Sequence, residues 1–373
     1  MKKKIAISLG LGTIISLLSL YFALRNVPFD GLWNYLKSID YFWILPSSGI
    51  VLLGFGLRAL RWQMILATSG KVEFWTAYHP LIIGFAINCI LPGRVGEIAR
   101  PVILSQKKEI AFTTGLATVA AERVLDICIL IVLFALVLLR VQPDPNFVMR
   151  FGELELSQAV LEGIAADMLK LCVLLLCGIV LISIERTRKI SYAIIDWIPK
   201  QLTFFGPRIY TIIVKLSQAG KKIIDNFATG FALIKNPKML IFCLTTSIII
   251  WLVNALSFYI FTLGCEGIEL SFIKVFTMMV IICFFVALPS VPGYWGIWEA
   301  GGVFALSLFG VGSDEAAGYT LASHAIQILP VIMVGLISAW ITSVDIFKVS
   351  YQQPLKHSTV DKKPRPDREV NDE

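Results

Sequence analysis

Apolar stretches of twenty residues and more recur along this chain, and they run on without the alternation a lipid-facing β-strand would show. Inside a bilayer only helices and closed barrels satisfy their own backbone, so the chain is expected to be an all-α polytopic membrane protein. Full spans are expected near 5–24, 41–67, 113–140, 163–184, 239–263 and 317–344. Two further stretches, 76–106 and 272–312, are cut near the middle by Leu91-Pro92-Gly93-Arg94-Val95-Gly96-Glu97 and Val291-Pro292-Gly293-Tyr294-Trp295-Gly296-Ile297. Each half is about 14–18 residues, short for a crossing. They are expected to be re-entrant helical hairpins hinged at Pro92, Gly93 and Gly96 and at Pro292, Gly293 and Gly296. Two ordinary spans joined by a tight loop would give the same apolar pattern.

Charge separates the two readings. With Lys2, Lys3 and Lys4 in the cytoplasm, returning hairpins place Lys107, Lys108, the basic 185–238 stretch and the tail inside. The acidic 141–162 segment, Glu266, Glu269, Asp314 and Glu315 then fall outside. If the first hairpin crossed, alone or together with the second, the basic 185–238 stretch would fall outside. Both termini are therefore expected in the cytoplasm of a cell membrane, plasma or inner. Residues 41–140 and 239–344 become two units with the same order and oppositely oriented hairpins, an inverted repeat of the kind that supports alternating access. Within the 1–348 membrane domain, residues 190–236 interleave aromatic and aliphatic residues with lysines and arginines. They are expected to form a cytoplasmic amphipathic insert lying on the membrane surface, or a linker packed on the spans. Residues 349–373 are polar and are expected to be a disordered cytoplasmic tail.

Of the residues, 57% are hydrophobic and 16% charged, and the mean hydropathy is +0.77, which excludes an ordinary soluble domain. The formal charge of +7 resides in loops beside apolar segments, so no nucleic-acid partner is expected. The seven cysteines form no Cys-x-x-Cys pair, and the three histidines form no ligand set, so neither metal nor cofactor is expected. No Walker phosphate loop is present.

Ionisable residues at membrane depth cost about 2.5–3.5 kcal/mol each on insertion scales, and they mark function by default. The first break carries Asn88, Arg94, Glu97 and Arg100; the next span carries Glu122, Arg123 and Asp126. Arg94, Arg100 and the start of the returning half-helix suit an anionic headgroup, with Asn88, Glu97 and Arg123 as further contacts. Glu122 and Asp126, four apart, share a helix face that must meet protein or water rather than lipid. The second unit offers Glu299 and His324, with Tyr294, Trp295 and Trp298 as pocket walls or an aromatic belt. Glu122, Asp126, Glu299 and His324 are candidates for proton coupling or for a structural polar network. Arg58 and Arg61, near the end of the second span, read as snorkelling cytoplasmic anchors.

The combination Asn88-x-x-x-Pro92-Gly93-Arg94-x-Gly96-Glu97-x-x-Arg100, Ala121-Glu122-Arg123-x-x-Asp126 and Pro292-Gly293-x-x-Gly296-x-x-Glu299 resembles the transmembrane region of lysylphosphatidylglycerol synthases. The resemblance runs over about residues 5–345. It implies a flippase-like membrane protein that moves lipid between leaflets, with the matching polar residues as lipid contacts. The partners implied are membrane lipids, an anionic phospholipid or a polyprenyl-linked glycolipid, and a lipid-modifying enzyme where the chain acts within a complex. The synthases carry a large soluble aminoacyl-transferase domain after their membrane part. Here a short tail follows, so lysyl transfer is not expected. A membrane transferase or a non-catalytic subunit of a lipid-modifying complex is the competing reading.

Overall fold

A computed structural model describes residues 2–25, 27–67, 70–107, 110–140, 184–201 and 236–351, with short pieces between 150 and 224. The described residues are helical apart from loops, the two breaks and a two-residue antiparallel ladder, Arg150–Phe151 on Leu154–Glu155. The helices are α1 (Lys2–Leu24), α2 (Phe29–Ser38), α3 (Ile44–Leu66), α4 (Phe74–Ile90), α5 (Gly96–Lys107) and α6 (Phe112–Arg140). After these come α7 (Glu185–Gln201), α8 (Pro237–Thr262), α9 (Phe272–Val286), α10 (Ile297–Ser307), α11 (Ser313–Ile341) and α12 (Ile346–Tyr351).

Among the described residues, three stretches have both the length and the apolar content to cross a membrane: Tyr41–Leu66, Pro237–Thr262 and Ser313–Ile341. Their outward side chains are apolar, among them Leu53, Ile248, Met333 and Trp340, as a lipid-facing surface requires. The chain is thus a helical membrane protein. Helix α6, at 29 residues, matches them in length but carries Glu122, Arg123 and Asp126. The first expected span is helix α1, which meets α2 at a bend of 83°. Most of the expected span 163–184 and about half of the 190–236 insert lie outside the described residues. At the far end, α12 runs through Tyr351, and Val349 is 5% exposed against the α4–α5 core. The expected tail boundary at 349 therefore moves past Tyr351, because an apolar side chain ties the last helical turn down.

The breaks follow from local chemistry. A residue before proline avoids helical backbone, and both Leu91 (φ −112°, ψ 147°) and Val291 (φ −66°, ψ 164°) are extended. Each following glycine turns left-handed, Gly93 at φ 80° and Gly293 at φ 73°. The next residue in each break is also left-handed, although neither is glycine: Arg94 at φ 53° and Tyr294 at φ 64°. Helix α4 then packs back on α5, and α9 on α10.

The packing order is duplicated. Matching α3, α4, α5 and α6 to α8, α9, α10 and α11 gives every packed pair a counterpart. The pair α3–α4 answers to α8–α9, and α5–α6 to α10–α11. Across the units, α4–α11 answers to α9–α6 and α3–α11 to α8–α6, with α3 on α8 at the centre. The additions break this pattern. Helix α1 packs on α10 and α2 on α11, whereas α12 packs on α4 and α5.

Candidate functional site

The two breaks meet. Arg94 Nη2 donates to the carbonyl of Val286 at 2.6 Å, and its guanidinium lies 5.8 Å from the centre of the Tyr294 ring. Between the breaks is a cleft of about 310 Å³, lined by Asn88, Pro92, Arg94, Ser290, Pro292 and Tyr294 among others. Arg94 is exposed, and among the described residues no carboxylate pairs with it. The first break is fastened from the preceding helix: the Gly96 N–H donates to Asn88 Oδ1 at 2.8 Å. The second is fastened from the following helix, where the Gly296 N–H donates to Glu299 Oε2 at 2.6 Å. Helix α1 braces it further, with Ser16 Oγ accepting the Val291 N–H at 3.1 Å. A proline-cut helix leaves N–H groups that water cannot reach, and these side-chain oxygens satisfy them.

Behind the first break lies an ion network. Arg61, 1% exposed, donates from Nη1 to Asp126 at 2.5 Å and from Nη2 to Glu122 at 3.5 Å. It also reaches Ser247 Oγ on α8. Arg100, equally buried, donates to the other Glu122 oxygen at 2.8 Å and lies 4.2 Å over the Trp62 ring. Arg123 stands 3.6 Å from Glu97 and 3.7 Å from Asp126. Three arginines thus face three carboxylates, and the network is neutral as a set. Neutral pairing is what allows charge at this depth, since an unpartnered buried ion carries several kcal/mol of desolvation cost, on the order of 3–5 kcal/mol. Not every donor is used: Arg61 Nε, Arg100 Nε and Nη1, and Arg123 Nε find no hydrogen-bond partner among the described residues. Buried donors of that kind call for water or a ligand oxygen.

The second unit solves the same problem with one pair. Glu299 and His324 are fully buried, Glu299 Oε1 being 2.6 Å from His324 Nδ1. His324 Nε2 lies 2.8 Å from the Gly293 carbonyl, which can only accept. Nε2 therefore carries a proton, and one further proton lies between Nδ1 and Oε1. Whichever of the two atoms holds it, the pair has no net charge. Trp298 stacks on the imidazole at 4.5 Å and 5°, and Trp295 covers it at 4.5 Å and 48°.

The structure thus brings Asn88, Pro92, Gly93, Arg94 and Pro292 to one cleft, sets the Gly293 carbonyl against His324, and places Glu97, Arg100, Glu122, Arg123 and Asp126 in the network behind the first break. Glu299 and His324 brace the opposite break. The snorkelling role expected of Arg61 is overturned: it is enclosed by α6 and α8 because two carboxylates of α6 need it. Its signal was present, since Trp62, Met64, Ile65 and Leu66 continue the apolar run beyond it, so it is not at a membrane edge. Arg58 is not a free anchor either. It is half-buried, with its guanidinium 5.0 Å from the Phe55 ring and 3.4 Å from Asn254 Oδ1.

A membrane protein of Methanothermobacter thermautotrophicus strain Delta H, of the UPF0104 group, is 23% identical over 297 residues, covering 78% of this chain and 83% of its own. The model of one family, described as the lysylphosphatidylglycerol synthase TM region, matches residues 6–335 and so takes in both breaks, the ion network and the His324–Glu299 pair. With a match across nearly all of its helical body, the chain belongs to the lysylphosphatidylglycerol synthase TM region family.

Proposed function

We propose that this protein is a lipid translocator that moves an anionic phospholipid or a lipid-linked sugar between membrane leaflets. The observation that carries the reading is the cleft where two helix breaks meet, with the unneutralised Arg94 guanidinium at its mouth. An anionic headgroup would accept from Arg94 and sit against backbone that has no helical partner. At 1.5 Å per residue the four half-helices are roughly 16–26 Å long, less than the ~30 Å hydrocarbon core. That supports re-entrant hairpins, and the duplicated packing supports an inverted repeat built on six spans with both termini in the cytoplasm. Rocking of one unit on the other about the α3–α8 contact would then expose the cleft to each leaflet in turn. The proton shared by Glu299 and His324, 2.6 Å apart, supports a coupling role for this pair in that motion.

The test is flux in proteoliposomes. Fluorescently labelled phosphatidylglycerol in the inner leaflet should become reachable by an external quencher at a rate that depends on the protein. Arg94→Gln should lower that rate about tenfold to a hundredfold, as expected for loss of a charge-assisted hydrogen bond worth about 1.5–3 kcal/mol, while the protein stays monodisperse. Equal flux from the wild type and the variant would remove the headgroup role.

A further inference from the structure

Of the arginines at the first break and in the helices packed behind it, Arg61, Arg100 and Arg123 have carboxylate partners, and among the described residues Arg58 and Arg94 have none. Asp126 acts on Arg58 only through space and is already held by Arg61 and Arg123. Each unpaired arginine lines a different space. Arg94 lines the cleft between the breaks; Arg58 lines a second cavity of about 190 Å³, bounded also by Phe55, Phe85, Asn254, Trp298 and Gln327. That is the liquid volume of about six waters, enough for a phosphate or sulfonate group. Trp298 adds an Nε1–H with no acceptor among the described residues. Tyr294 belongs to the walls of both spaces, and its ring is the one that Arg94 lies against.

We propose that Arg58 forms an inner anion site behind the Arg94 cleft, with Tyr294 as the partition between them. The inner site takes an anionic oxygen group such as phosphate or sulfonate, and the partition opens when the Arg94–Tyr294 contact is released. The local pairing is what favours it: Glu97, Glu122 and Asp126 neutralise Arg61, Arg100 and Arg123, and Arg58 and Arg94, left without a carboxylate among the described residues, line two spaces that share the Tyr294 wall. Aromatic walls keep water few and the guanidinium field strong. This deepens the translocator reading and rests on it for its physiological ligand, but the anion site itself can be tested without any lipid.

Two native cysteines, Cys89 and Cys283, line the inner cavity and report on it. Purified full-length protein is treated with two methanethiosulfonates of similar size, one ending in a sulfonate and one in a trimethylammonium group. Modification at each cysteine is read by peptide mass spectrometry. The anionic reagent should modify Cys89 and Cys283 about tenfold faster than the cationic one. Arg58→Gln should bring the ratio to about one, Arg58→Lys should keep it, and Tyr294→Ala should speed both reagents without abolishing the preference. Equal rates in the wild type would overturn the proposal. So would a preference that survives Arg58→Gln, or no modification at either cysteine even in Tyr294→Ala. Should the preference be missing while Arg94→Gln still stops lipid flux, only the inner site falls. Should it be present without lipid flux, the anion site stands and translocation falls.

Discussion

The two breaks share a backbone and differ in electrostatics. Pro92-Gly93-Arg94 and Pro292-Gly293-Tyr294 turn through the same sequence of extended, proline and two left-handed residues. Around the first, six ionised side chains form a network; around the second, one carboxylate and one imidazole share a proton between two tryptophans. The contrast teaches that the backbone device and the charge are separable. Broken helix requires only that its freed N–H groups be capped, which Asn88 does in one unit and Glu299 in the other. The arginines without a carboxylate among the described residues, Arg94 and Arg58, both belong to the first unit, and the second unit holds no arginine.

The largest test of that contrast is Arg61→Ala. Removing the cation that bridges Glu122 and Asp126 leaves three carboxylates against two arginines, a net buried charge, and should destabilise the protein by about 3–5 kcal/mol. Thermal unfolding in detergent, followed by size-exclusion chromatography, reads the loss. A wild-type melting curve would mean that the network is solvated and is not what holds α3, α6 and α8 together.

An amide replacement on each side sharpens the comparison. Glu122→Gln removes a charge that faces two buried arginines and should cost about 3 kcal/mol. Glu299→Gln keeps an acceptor for the Gly296 N–H and supplies an amide donor to His324 Nδ1, so every partner stays satisfied and the cost should be about 1 kcal/mol or less. Both are measured by chemical or thermal denaturation of the detergent-solubilised protein. Equal losses would show that the His324–Glu299 pair carries net charge after all.

The smallest effect separates strain from space in the turns. A methyl group on Gly93 meets nothing within 4 Å, so Gly93→Ala should cost only the left-handed backbone penalty, about 1 kcal/mol. Gly296→Ala would drive its methyl into the Ser16 carbonyl of α1 as well, and should cost clearly more. Denaturation midpoints of the pair decide it. Matching losses would mean that α1 does not brace the second break.

Much of this architecture was legible because it depends on neighbours in sequence. Helix limits over 41–67, 239–263 and 317–344 came within a few residues, since apolar runs and proline act locally. The shared face of Glu122 and Asp126 followed from helical spacing, and the structure turns both to Arg61. Arg61 itself was misread because its partners come from a helix about sixty residues away, and proximity to the end of a span suggested an anchor. Nothing in the residues around Tyr294 says that its ring meets Arg94, two hundred positions earlier.

By itself the sequence determined a helical membrane chain and the places where its helices must break, because burial in lipid and the φ limits of proline and glycine act residue by residue. Only the tertiary structure decided which charges cancel and which remain. Ion pairing depends on ångström distances between helices that the chain order leaves open, and among the described residues those distances leave Arg94 and Arg58 without a carboxylate, in two spaces that share the wall of Tyr294.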